Sequence, residues 1–317
     1  MSDYTVTEDT IEEIPVTVLG AAAHDLRAAF APGAGMVGAS LRHRGEELLG
    51  RRGGLAKYAE TGSSMGIPLL HPWANRLSGL EYSVAGRTVE LDPERSPLRL
   101  DPNGLPIHGL AVACPHWEVT GTSSVEAGAR LAARLDWSAH EELMAGFPFP
   151  HELTVETALR GATLTVETVL HATGDTPVPV AFGWHPYLTL PGVPRADYEI
   201  ALPVRRRARL DDRGIPTGED EPTGVHAGPL GDREYDDLFT ELTHPPAFTL
   251  RGAGRCLELR FESGYPVAQA YAPPADDLIC FEPMTAPTDA LVTGDRLQLL
   301  APGERYLARF SITVTDE

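Results

Sequence analysis

A chain of 317 residues, 42% hydrophobic and 22% charged, has the balance of a globular protein and is long enough to bury a sizeable core. Its formal charge of −19 and pI near 4.9 argue against nucleic acid or an anionic membrane as a partner. Lysine occurs once, at Lys57, so Schiff-base chemistry has a single candidate.

Residues 1–13 (MSDYTVTEDTIEE) are polar and acidic and lack the basic and apolar regions of a signal peptide. They read as a flexible acidic N-terminus ahead of one domain over 14–317. No run approaches the roughly 18–20 apolar residues of a membrane span. Cys114, Cys256 and Cys280 form no CxxC pair and no even framework, so they read as small buried residues of a reducing compartment. A cytoplasmic protein is expected.

The first strand-like run begins over Ile14 to Leu19. Leu26 to Ala31 and Met36 to Leu41 follow, separated by the turn-rich Pro32-Gly33-Ala34-Gly35. A glycine-rich stretch, Gly50 to Gly66, leads into Ile67 to Gly79, where Pro68 and Pro72 exclude a regular helix. That segment ends in Asn75-Arg76, which offers donors to a polar ligand or pairs with some carboxylate. Tyr82 to Leu91 reads as a hairpin turning at Ala85-Gly86. The loop Pro102 to Leu110 presents His108 beside Gly109, where glycine lets a backbone or ligand come close. Trp117 to Thr122 then pairs with Ala129 to Trp137 across residues 123–126. Leu153 to Leu159 pairs with Thr163 to Leu170 across Gly161-Ala162, both arms alternating at period two.

In Phe182 to Leu190, His185 lies between Trp184 and Tyr187 and is followed directly by Pro186. A residue before proline is pushed toward extended backbone, so His185 belongs at a strand end or the first bend beyond it. An imidazole beside flat apolar faces suits a sugar ring; the alternative is a core histidine with satisfied nitrogens. Tyr198 to Leu210 alternates and carries Arg205, Arg206, Arg207 and Arg209, a cluster that would grip a phosphate or form a solvated face. Residues 211–234 read as an acidic loop closed by Tyr235-Asp236-Asp237-Leu238-Phe239. Phe248 to Leu250 with Cys256 to Phe261 make a further hairpin, and Pro266 to Ala272 a strand. The wholly apolar Leu278 to Phe281 reads as a doubly buried strand with Glu282 at its end. Desolvation there raises a carboxylate's pKa toward use as a base, unless the side chain simply reaches water. Arg296 to Leu300 and Tyr306 to Val314 flank a turn at Pro302-Gly303.

No segment sustains a helical apolar period for three turns, and no compositional break marks a linker. The expected fold is therefore all-β, one large domain of stacked antiparallel sheets. His108, His185, Asp236 and Glu282 fall on strand ends or loops, but no HxH, HxxxH or HExxH pattern accompanies them, so no metal is expected. Gly33 to Gly38 spells GxGxxG and Gly62 to Gly66 spells GxSxG; neither has the strand–turn–helix context, and both read as turns.

Six landmarks stand in one order: Ala74-Asn75-Arg76, Ile107-His108-Gly109, His185-Pro186-Tyr187, Tyr235-Asp236, Gln269-Ala270-Tyr271 and Glu282-Pro283. With them, residues 14 to 315 resemble the aldose 1-epimerase (galactose mutarotase) family, as a divergent aldose epimerase-like member. The resemblance implies a β-supersandwich fold and an isomerase that interconverts the anomers of a small free aldose. It implies no metal or organic cofactor, and a monomer or weak homodimer is expected. Glu282 then matches the general base that takes the C1 hydroxyl proton, and His185 the general acid that protonates the ring oxygen. His108 matches the second active-site histidine. Arg76, Asp236 and Gln269 match sugar-hydroxyl ligands, with Asn75 beside them. Trp73, Trp184 and Tyr187 are stacking candidates, or else ordinary core aromatics. The family's common His-Ser-Tyr-Phe-Asn-Leu is replaced here by the residues from His185 to Leu190, the usual Glu-Thr-Gln by Glu282-Pro283-Met284, and the second glycine of His-Gly-Gly by Leu110. These departures leave the preferred sugar open. Competing expectations are a hexose-6-phosphate 1-epimerase using the arginines at 205–209, and a non-catalytic sugar-binding module on the same fold.

Overall fold

A computed structural model describes residues 3–224 and 226–316. Its strands form antiparallel sheets, three of them large. The nine-stranded sheet runs, in spatial order, through 226–229, 199–202, 247–252, 255–263, 305–316, 163–172, 151–160, 128–136 and 118–125. The eight-stranded sheet runs through 216–222, 204–210, 235–242, 267–272, 279–284, 183–184 and 69–70, with Tyr187–Leu188 also pairing with 279–284. A five-stranded sheet gathers the N-terminal strands from Tyr4 to Glu47.

The period-two pattern explains the layering. On His151–Arg160 and Thr163–Ala172, Leu153, Val155, Leu159, Leu164, Val166 and Leu170 are fully buried, while most of their strand neighbours are half-exposed. The core they build includes Phe248, Phe281, Phe310, Leu257 and Leu259. Each such side chain contributes about 1.5–3 kcal/mol on removal from water. Ile279–Met284 lies between Val267–Ala272 on one side and Gly183–Trp184 with Tyr187–Leu188 on the other, and all six of its residues are buried. The apolar run Ile279 to Phe281 suits such a central position, and Glu282 interrupts it on the buried strand. The three cysteines are buried and free. Among the described residues no helix is long and apolar enough to cross a membrane.

Several expectations need correcting. The acidic N-terminus is no flexible extension: Tyr4–Ile11 is a strand paired in full register with Ile14–Ala21, from Tyr4↔Ala21 to Ile11↔Ile14. Thr5, Val6, Thr7 and Thr10 are β-branched, and on an edge strand the acids between them simply face water. Glu12, in the turn, pairs with Arg51 at 2.6 Å and accepts from the Ala56 backbone N–H, tying this hairpin to the short helix Gly54–Thr61 within the glycine-rich stretch. The acidic stretch after residue 210 contains strands Pro216–Pro222 and His226–Pro229. Its acids are accommodated because they oppose arginines: Arg206 pairs with Asp220, Arg207 with Glu221, and Arg209 with Glu219 and Glu221. The same pairs, with Arg205–Glu241, occupy the arginine cluster and remove it as a phosphate grip. The turn after Glu118–Val125 is Glu126-Ala127, and Glu282 lies within its strand, not at its end.

Candidate active site

Several loops and the strands Tyr187–Leu188, Tyr235–Leu242, Val267–Ala272 and Ile279–Met284 meet at one cavity. Asn75 and His108 both take left-handed backbone conformations, φ 57° and 64°. His108 N–H donates to the Asn75 carbonyl at 2.8 Å, and Arg76 bridges to Ile107, so the loop carrying His108 is laced onto the segment carrying Asn75-Arg76. Gly109 makes this possible: a Cβ on it would stand 2.2 Å from the His71 carbonyl oxygen, at φ 70°. Gly109→Ala is therefore expected to cost about 2–4 kcal/mol, read as a lower urea midpoint, and to displace His108. An unchanged midpoint would contradict this packing.

His185 occupies the bend between Gly183–Trp184 and Tyr187–Leu188, its N–H held by the Pro68 carbonyl at 3.1 Å. Its ring lies flat on Tyr187, centroids 4.3 Å apart and planes 1° from parallel, with His108 edge-on at 5.4 Å and Tyr271 at 5.9 Å. Nε2 is 3.2 Å from Glu282 Oε1 and 3.2 Å from the Tyr187 hydroxyl. Glu282 stands opposite Gln269 in register, and Gln269 donates to Asp236 Oδ1 on the next strand at 2.7 Å. The Arg76 guanidinium donates to Asp101 at 2.9 Å and to Asn75 Oδ1 at 3.1 Å, and lies 3.7 Å from Asp236.

Of the sequence-derived candidates, Glu282, His185, His108, Arg76, Asn75 and Asp236 line a single cavity of about 280 Å³, near the low end for small-molecule sites. Gln269 does not line it; it is 1% exposed and steadies Asp236 from behind. Trp184 is a correction. Successive strand residues point to opposite faces, so with His185 on the cavity side its neighbour faces the core, fully buried. Its indole N–H donates to Thr168 Oγ1 at 3.0 Å. Trp73 is likewise buried, and the aromatic wall of the cavity is formed by Tyr187 and Tyr271. Sequence reasoning missed Arg52, Ser63, Ser64, Arg99 and Asp101, which also line it. Ser63 and Ser64 belong to the Gly62 to Gly66 stretch that reads as a turn, and Arg52, Arg99 and Asp101 to stretches rich in glycine or proline.

The electrostatics follow from burial. Burial pushes the Glu282 carboxyl well above its usual range; Asp236 adds to this, and Arg76 opposes it. Burial, then Arg52 and Arg99, lowers His185 to about 3. Burial, with His185 and the arginines, holds His108 well below its usual value. In the Glu282–His185 pair, burial disfavours charge on both partners, so the neutral pair is favoured, with one proton on the 3.2 Å line between them. Glu282 Oε2, His185 Nδ1 and His108 Nδ1 are buried without a hydrogen-bond partner in the protein. Each such atom costs about 1–3 kcal/mol, and three on the walls of one cavity mark a place built for a polar ligand.

Among the described residues, one trio with metal-ligand spacing is His116, His140 and Glu142, within 4.8 Å of one another and outside the cavity. Its imidazoles lie face to face at 3.9 Å and 13°, so their lone pairs do not aim at a common point.

A family model described as aldose 1-epimerase matches residues 32–313. A search among curated proteins finds no match. Among solved structures the chain is similar to a protein of Synechocystis sp. PCC 6803, with 24% identity, TM-score 0.79 and 100% of each chain covered. It is similar to a galactose mutarotase-like protein from Clostridium acetobutylicum, with 17% identity, TM-score 0.86 and 99% of each chain covered. It is also similar to a galactose 1-epimerase from Lactobacillus acidophilus NCFM, with 15% identity, TM-score 0.78, and 100% of this chain and 99% of that one covered. At these identities the likeness speaks for the fold.

Proposed function

Since the chain belongs to the aldose 1-epimerase family, we propose that it interconverts the α and β anomers of an aldohexose by acid–base ring opening and closure. One observation carries this reading: Glu282 Oε1 and His185 Nε2 lie 3.2 Å apart on the wall of a hexose-sized cavity. The two oxygens that exchange protons in mutarotation, O1 and the ring oxygen, are both bonded to C1. A base and an acid that serve them must therefore sit side by side.

Glu282 takes the proton from the O1 hydroxyl, the C1=O1 bond forms, and the C1–ring-oxygen bond breaks. The electron pair leaving with the ring oxygen takes a proton from His185. The open aldehyde turns about C1–C2 and presents its other face. The freed hydroxyl then attacks C1, His185 recovers its proton, and Glu282 returns one to O1. Atoms and protons balance, and the enzyme ends as it began. Arg76, Asn75, Asp236 and His108 hold the remaining hydroxyls, Gln269 fixes Asp236, and the faces of Tyr187 and Tyr271 take the apolar side of the ring.

The protonation states have a consequence. The neutral pair that burial favours is the state that follows ring opening, with the proton on Glu282 and His185 uncharged. Capture of the cyclic sugar needs that proton moved to Nε2. Activity thus requires one proton on the pair. A second is added only near the lowered value of His185, about 3, and the last is removed only above the raised range of Glu282. Background-corrected kcat/KM for anomer exchange should therefore vary less than about threefold between pH 5 and 8. A narrow optimum between the unperturbed values of about 4.3 and 6.5 would contradict the buried pair. NMR exchange spectroscopy on a panel of aldoses tests the activity itself.

A further inference from the structure

We infer, on the footing of the epimerase reading above, that Asp101 is a positioning residue for the reaction. Its carboxylate aims the Arg76 guanidinium at the sugar and ties it to the loop that carries His108.

The two carboxylate oxygens have different tasks. Oδ1 accepts the backbone N–H groups of Asn103 at 2.8 Å and Leu105 at 2.9 Å. With the Asp101 N–H donating to the Leu105 carbonyl at 2.8 Å and a bridge between Leu100 and Pro106, this closes a turn over 101–105. Such a turn needs one oxygen only. Oδ2 reaches 25 residues back along the chain and accepts from Arg76 Nε at 2.9 Å. The Asp101 side chain is 1% exposed, and a carboxylate so placed must have its oxygens met by donors. Burial pushes its carboxyl up, but the Leu105 N–H, Arg76 and the Asn103 N–H outweigh it and hold it below its usual value, so it stays charged.

The backbone of Arg76 is fixed by other contacts. Arg76 bridges to Ile107, its carbonyl accepts from the Asp289 N–H at 3.0 Å, and the next residue, Leu77, donates to the Pro106 carbonyl at 2.9 Å. What remains is a long side chain with several torsions, and the hold on Nε settles them. It leaves the Nη end to Asn75 Oδ1 at 3.1 Å, to Asp236 at 3.7 Å and to the cavity, which Arg76 and Asp101 both line. Gly214 lies against that same end, since a Cβ on it would stand 3.1 Å from Nη1, at φ 77°. A guanidinium held along one edge offers a hydroxyl a fixed fork, where a free one would be ordered only on binding. The turn that Asp101 closes leads directly into Ile107 and His108, so two sugar contacts from distant segments take their places from one side chain.

Asp101→Asn separates the two tasks. Its single acceptor oxygen, turned toward Asn103 and Leu105, satisfies two N–H groups and sets an NH₂ group against Arg76 Nε, donor to donor. The turn survives and the hold on Arg76 is lost. With glucose and galactose, NMR exchange should show KM raised about tenfold or more and kcat changed by less than about threefold, at an unchanged urea midpoint. Asp101→Ala should lower the midpoint as well. In an Arg76→Gln background, Asp101→Asn should alter KM by less than about twofold, because no guanidinium remains to be aimed. A wild-type KM in Asp101→Asn would reduce Asp101 to a turn residue and overturn the inference, as would an equal loss in both backgrounds. Should Asp101→Asn fail to fold, Arg76→Lys decides, since lysine keeps the charge but has no Nε edge to be held. A KM within about threefold of that of Arg76→Gln upholds the fixed fork, and a KM near wild type overturns it. If neither sugar exchanges faster than in buffer, the epimerase reading fails, and Kd from calorimetric titration with the same two sugars replaces KM in each comparison. The same pattern then upholds the role of Asp101; unaltered binding in Asp101→Asn, or none to the wild type, overturns it.

Discussion

Glu282→Gln should lower catalysed anomer exchange by about 10²–10⁴-fold while leaving the fold at least as stable as the parent. Glutamine matches the shape of glutamate but cannot take a proton from O1. Stability should not suffer, because the carboxyl is 1% exposed and one of its oxygens has no partner in the protein. The sign follows from its raised value. Any stability that Glu282 confers through its proton is fully present below the unfolded pKa and is lost as pH rises through the folded one. The variant's melting temperature should thus gain on the parent's between pH 5 and pH 8. Polarimetry gives the rate and thermal melts give the stability. Near-normal exchange would remove Glu282 as the base, and a melting temperature several degrees lower would make it structural.

His185→Gln should fall by a similar factor, about 10²–10⁴-fold, with the loss in kcat and KM changed by less than about threefold. The ring oxygen loses its proton donor, while Arg76, Asn75 and Asp236 still hold the sugar. Because the ring also stacks on Tyr187 at 4.3 Å, some loss of order in the aromatic wall is expected, and KM reports it. The decisive comparison is the double variant. Two groups 3.2 Å apart that share one proton act as a unit, so removing both should be within about tenfold of removing the worse one. Losses that multiply would mean that the two residues act independently.

Much of this was legible from local pattern. Period-two alternation located the hairpin arms at 153–159 and 163–170, and the apolar run ahead of Glu282 marked a central strand correctly. The bend at His185 followed from the proline behind it. Local pattern failed where partners lie far along the chain. The strand at 216–222 looked like an acidic loop because its stabilising arginines lie on the opposing strand. Tyr4–Ile11 was hidden by its acids, which an edge strand tolerates on its solvent side. Trp184 reads from sequence as a stacking candidate or a core aromatic, and its place next to His185 on extended backbone turns it to the opposite face, into the core. Arg52 and Arg99 had no sequence signal, since only the folded chain brings these two distant segments to the cavity.

The most direct measurement is magnetisation transfer between the α and β C1 proton resonances of neutral and charged aldoses, with and without the protein. Transfer that rises in proportion to wild-type protein for at least one sugar, and returns to the buffer rate with Glu282→Gln, is the predicted result. Sugars that bind yet interchange their anomers no faster than in buffer would contradict it.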